Sequence, residues 1–66
     1  MSMKWEYVTL VVDFDVVQEI NGESVSHLKI NFYKKMAELG QESWELVSVS
    51  HYGGMKNILM AFKRPI

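Results

Sequence analysis

Cysteine is absent from this sequence, and proline occurs once, at Pro65. The first absence excludes disulfide staples and thiolate-held zinc, two devices on which chains this short often rely. Two histidines are present, too few for a histidine-based zinc site to be expected. Charge of one sign is missing as well: seven basic against eight acidic residues leave a formal net charge of −1. No whole-molecule field exists to draw nucleic acid or an anionic membrane. No stretch approaches the roughly 18 apolar residues that would span a bilayer, and no apolar run follows the start Met1-Ser2-Met3-Lys4. The expectation is a cytoplasmic protein with neither nucleic acid nor membrane as a partner.

What the sequence does have is apolar surface. At 66 residues there is room for one domain, over 1–66, and one small core, because a chain near that length buries only about 60% of its unfolded surface. A hydrophobic fraction of 48% is high for such a chain, which keeps proportionally more surface wet. With no disulfide and no evident metal to offset chain entropy, a partner subunit is the remaining device.

Trp5 to Val17 reads Trp-Glu-Tyr-Val-Thr-Leu-Val-Val-Asp-Phe-Asp-Val-Val, β-branched and aromatic without Gly or Pro, and predicts one long strand. Alternation puts Trp5, Tyr7, Thr9 and Val11 on one face and Glu6, Val8, Leu10 and Val12 on the other, so both faces are largely apolar. Asp13 and Asp15 mark a bulge or the point where the strand leaves the covered sheet. Asn21-Gly22 is the strongest turn signal, since both residues tolerate the positive φ of a type I′ turn. It closes a short β-ribbon or a loop before the helix.

Leu28, Phe32, Met36 and Leu39 recur on one helical face and predict a helix over Ser26–Leu39, with Ser24 or Ser26 as its cap. Gly40 stands where a left-handed residue would end it, after Lys34 and Lys35 in its C-terminal half. A second apolar line, Ile30, Tyr33 and Ala37, has no need to face water. Trp44 to Tyr52 predicts a strand, Gly53-Gly54 a turn, and Asn57 to Lys63 a further strand that Pro65 terminates. The expected fold is α+β: a three-stranded, mainly antiparallel sheet with one helix packed on one face, in the order β-α-β-β.

Trp5-Glu6-Tyr7, Leu39-Gly40, Gln41-Glu42, Trp44-Glu45-Leu46-Val47 and Phe62-Lys63-Arg64-Pro65, taken in this order, resemble a family of short bacterial and phage proteins known only as a domain of unknown function. The resemblance spans nearly the whole chain and rests on structural motifs. In that family the second tryptophan follows a glycine, whereas here the position is Ser43. If the turn needs positive φ, Ser43 carries strain or the turn differs. The resemblance implies the α+β fold and supplies no catalytic residue.

Several clusters suggest chemistry, each with a plainer reading beside it. Asp13 and Asp15 share one face of an extended segment, as a phosphate-bridging metal would require, yet two acids also blunt an exposed strand end. Trp5, Trp44, His51, Tyr52, Gly53 and Gly54 are the candidate ligand-binding residues: the aromatic rings would stack on a small metabolite or nucleotide and the glycine turn would donate backbone hydrogen bonds. A hairpin turn explains the glycines without a ligand, and His27 stands at a helix start with no set distance to His51. Lys56, Lys63 and Arg64 with Tyr52 and Phe62 resemble a single-strand platform, but Lys63 alternates to the face opposite Phe62 and Arg64. Glu6 and Glu45 each follow a tryptophan and would need a cleft to act as an acid and base pair; no activated nucleophile accompanies them.

The reading that follows is a non-enzymatic homo-oligomeric interaction module, with a dimer favoured and no cofactor. Its contact residues are expected at Ile30, Tyr33 and Ala37 and on the sheet face the helix leaves bare. The alternatives are a metabolite or nucleotide binder with its ligand at the oligomer interface, and a phage-type protein that binds a host protein.

Overall fold

The computed structural model describes residues 3–51 and 57–66. Five strands and one α-helix follow one another as β1 (Trp5–Asp13), β2 (Val16–Ile20), β3 (Glu23–Ser24), α1 (Phe32–Gln41), β4 (Glu45–His51) and β5 (Asn57–Pro65). They build one sheet in the order β3-β2-β1-β5-β4, with every neighbouring pair antiparallel. The sheet is thus five-stranded and not three-stranded, although the α+β class stands.

Of the two extra strands, β2 starts inside the segment expected to be one long strand, Trp5 to Val17, and β3 follows the Asn21-Gly22 turn. The chain reverses at Phe14-Asp15, and Asp13 pairs with Val16 across the turn. Phe14 takes φ 58, a left-handed conformation that a bulky side chain seldom adopts, so no Gly, Pro or Asn announces the reversal. The second turn is the one the sequence predicts: Asn21 and Gly22 lie at φ 53 and 85, the sign a type I′ turn needs at both positions. Ile20 then pairs with Glu23 to form the short β3. Asn21 also prolongs the β1 ladder, because its backbone N–H donates to the Thr9 carbonyl at 2.9 Å and its Oδ1 accepts from the Thr9 N–H at 3.0 Å.

Helix α1 is shorter than expected. Ser26–Leu28 forms a separate 3₁₀ turn that Lys29 ends at φ 53. The true cap is Asn31, whose side chain accepts from the Lys34 N–H, and neither Ser24 nor Ser26 has that role. The segment entering the helix is tied to β2: Asn31 bridges to Val16, the Val17 N–H donates to the Ile30 carbonyl at 2.9 Å, and the Phe32 N–H donates to the Asp15 carbonyl at 2.7 Å.

At the other end Gly40 lies inside the helix, and the residue at positive φ is Ser43, at 71°. The Trp44 N–H reaches back to the Leu39 carbonyl at 2.9 Å and the Ser43 N–H to the Gly40 carbonyl at 3.1 Å. This is the Schellman pattern, with Ser43 as its left-handed residue; Leu39 belongs to the core and Trp44 packs against that core.

The core forms where α1 meets one face of the sheet. Phe32 and Leu39, two turns apart, pack with Val8, Leu10 and Val12 of β1, Val17 of β2 and Phe62 of β5. Ile20, Val25, Ile30, Trp44 and Met60 close its margin. Of the predicted helical stripe, Met36 is left at the boundary of exposure and Leu28, outside the helix, is exposed.

The helix exit gives a paired stability test. Gly40→Ala should raise stability by about 0.5–1 kcal/mol, because a helical glycine is replaced in open space. Ser43→Gly should raise it by a similar ~0.5–1 kcal/mol through relief of the left-handed strain, less the added freedom of the unfolded chain. Urea melts of both variants check this, and a destabilising Gly40→Ala would return the left-handed position to Gly40.

Candidate interaction surface

Ten helical residues rise only about 15 Å, whereas five strands span roughly 19 Å between outer strand axes. The segment entering the helix is tied to β2 and its exit turn leads into β4, and both outer strands stay uncovered: the two residues of β3 and the seven of β4 are all exposed. Leu46, Val47 and Val49 are 41%, 43% and 55% exposed, unusual values for three apolar residues of one strand in so small a core.

Strand register decides which way those side chains point. Leu46 lies opposite Phe62, Val49 opposite Met60 and His51 opposite Ile58, on the helix side; Glu45 lies opposite Lys63, Ser48 opposite Ala61 and Ser50 opposite Leu59, on the bare side. A bulge between Leu46 and Ser48 resets the alternation. Strict alternation from Trp44 would group Leu46, Ser48 and Ser50 on one face and Val47, Val49 and His51 on the other, and the bulge overturns that grouping. Beside the strand, Val49, Ser50, His51 and Ile58 line an open, mostly apolar pocket of about 130 Å³.

The bare face carries Trp5, Tyr7, Thr9 and Val11 of β1 with Leu59, Ala61 and Lys63 of β5. Tyr7 is 62% exposed, and the Lys63 ammonium sits 4.2 Å from the centre of the Trp5 ring. Lys63 and Arg64 point to opposite faces, as alternation predicts.

On the helix side, Arg64 ties three elements together. Its Nε donates to Glu6 Oε1 at 2.9 Å and its guanidinium donates to the Glu42 carbonyl at 2.8 Å, while its plane lies 4.4 Å from the centre of the Trp44 ring. The planar fork can bond carboxylate and carbonyl together and still stack on an indole, which an ammonium cannot. Arg64 thus pins the helix exit to β1 and β5, and it is the residue that sequence reasoning missed, because two cations before a proline read as a solvated strand end.

The predicted site residues are dispersed. Trp5 lies on the bare face and Trp44 packs into the core margin on the other, so the two do not form a stacking pair within one chain. His51 is exposed on β4, while Tyr52, Gly53, Gly54 and Lys56 lie outside the described residues. Glu6 faces the helix side with Arg64 and Glu45 the opposite side with Lys63, so they form no acid and base pair. The turn at Phe14-Asp15 separates Asp13 from Asp15. Asp13 Oδ1 is buried with no hydrogen-bond partner among the described residues, and no group of three His, Asp or Glu placed to hold a metal occurs among them. His27 lies in the 3₁₀ turn.

Of the expected contact line, Ile30 precedes α1 and packs against the core, whereas Tyr33, 70% exposed, and Ala37 face outward. No helix among the described residues is long and apolar enough to cross a membrane. Comparison with protein-family models, curated proteins and solved structures finds no match.

Arg64→Ala should cost about 1–2 kcal/mol in urea unfolding, from a part-exposed ion pair, a carbonyl hydrogen bond and a cation–π contact. Arg64→Lys should recover less than half of that. Full recovery by lysine would show that charge alone matters and that the stacked fork does not.

Proposed function

We propose that this chain is a non-enzymatic homo-oligomeric interaction module, a dimer in its simplest form. One observation carries the proposal: Leu46, Val47 and Val49 lie exposed along a single edge strand that α1 does not reach. Apolar surface gathered in that way marks an association site, and a chain with no disulfide gains stability by covering it. Glu6, the acid that stands closest to a catalytic reading, is committed to Arg64. The separation of Trp5 and Trp44 by the sheet favours the module over the metabolite binder, whose ligand those rings were to stack on.

Kinship with the short bacterial and phage family belongs to the same reading. Its support is Ser43, which adopts positive φ where that family has glycine. A cytoplasmic setting is also part of it, supported by a composition without cysteine.

Sedimentation and thermal melts over roughly 1–100 µM test the reading. The expected mass is twice 7.7 kDa, and the Tm should climb by about 5–10 °C per hundredfold rise in concentration, as mass action requires when unfolding also dissociates subunits. A 7.7 kDa species with a cooperative, concentration-independent melt would overturn it.

A further inference from the structure

We infer that two copies join edge to edge through β4, antiparallel across a two-fold axis beside Val49. The result is one continuous sheet with both helices on the same side. The inference rests on the homo-oligomeric reading above and names its surface.

The two edges of the sheet are unequal. β3 has two residues, one of them Glu23, and follows directly on a tight turn; it is too short to template another strand. β4 has seven exposed residues and no Lys, Arg or Pro to blunt it. Beyond its bulge, from Ser48 to His51, the strand offers an edge of unpaired N–H and C=O groups of the kind that recruits another strand. Because only one edge of each copy is competent, pairing between identical edges closes after two copies, whereas a sheet with two open edges would grow into a filament. A second copy is therefore an occupant that leaves no competent edge behind.

Charge permits this pairing and orients it. Leu46 to Ser50 contains no ionisable side chain, so self-pairing sets no like charges against each other. An antiparallel arrangement places the acidic entrance of each strand, Glu42 and Glu45, toward the His51 end of its partner, while a parallel one would set the acidic ends side by side. The scale is also suitable. A specific interface of modest size removes roughly 600–1,000 Å² per subunit, an eighth to a fifth of the 4863 Å² surface, so pairing along one strand edge sits at the small end of what a subunit this size can commit.

Register follows from the bulge. Ser48 to His51 is the bulge-free part of the strand, and in a two-fold antiparallel pair each residue must oppose one of its own face, so the axis passes through a residue pair. Centring on Ser48 sets Val49 against the bulged Val47, and centring on Ser50 sets it against His51. Centring on Val49 pairs valine with valine and Ser48 with Ser50, apolar with apolar and hydroxyl with hydroxyl. It covers the most exposed apolar side chain of the strand.

Because the chain has no cysteine, Val49→Cys is a clean reporter. Directly opposed residues of an antiparallel pair have Cα atoms about 4.5 or 5.5 Å apart, and both distances suit a disulfide. Under mild oxidation Val49→Cys should convert to a covalent dimer, whereas Ser24→Cys on the opposite edge should not. Val49→Lys should weaken self-association roughly a hundredfold by opposing two ammonium groups on the axis, with its circular dichroism checking that the fold is kept. A wild-type dimer in which Val49→Cys links no better than Ser24→Cys overturns β4 pairing and leaves the homo-oligomeric reading standing. A wild-type monomer overturns both. If Val49→Lys does not fold, the cysteine pair alone decides.

Discussion

Insertion of Phe32 and Leu39 between the even-numbered side chains of β1 and their neighbours Val17 and Phe62 is the contact on which the rest of the molecule depends. Without that cover Val8, Leu10, Val12, Val17 and Phe62 of the sheet would stand open to water, and a ten-residue helix alone in water is marginal. Their meeting supplies the core, and the size of the helix sets its limits. The limits matter as much as the core, because a helix about 15 Å long cannot roof the whole sheet, and the outer strands β3 and β4 remain outside.

The exit from α1 carries the structure from that core to the open edge. Ser43 bends the chain in a left-handed conformation, the Trp44 N–H turns back to the Leu39 carbonyl, and Arg64 locks the bend by bonding Glu6 and the Glu42 carbonyl above the Trp44 ring. Strain at one serine thus coexists with a three-element clamp that holds it. The clamp fixes where β4 begins, and the bulge after Leu46 fixes which side chains of β4 face the helix side. The exposed edge is consequently held at both its entrance and its register.

Much of this was legible from residue order. The two faces of β1, the turn at Asn21-Gly22, the strand at Asn57 and the opposed directions of Lys63 and Arg64 all follow from alternation and turn chemistry. The reversal at Phe14-Asp15 was not legible, because a phenylalanine at φ 58 is held there by its surroundings and not by its own preference. The helix start was misplaced because Ser24 and Ser26 are as able to cap as Asn31; hydrogen bonds from Val17 and Phe32 across to the opposing segment chose among them. The candidate ligand residues scattered for a similar reason, since Trp5 and Trp44 head similar strings of residues but enter the sheet on opposite faces.

By itself the sequence determined the class of the fold and the surplus of apolar surface, since periodicity and composition are local properties that a chain carries into any structure. Only the tertiary structure decided where the surplus lies. Helix length against sheet width, a bulge of one residue and the pairing order β3-β2-β1-β5-β4 are relations between distant segments. They drew Ile30 into the core margin, kept Tyr33 and Ala37 of the expected line exposed, and added Leu46, Val47 and Val49 on the open edge.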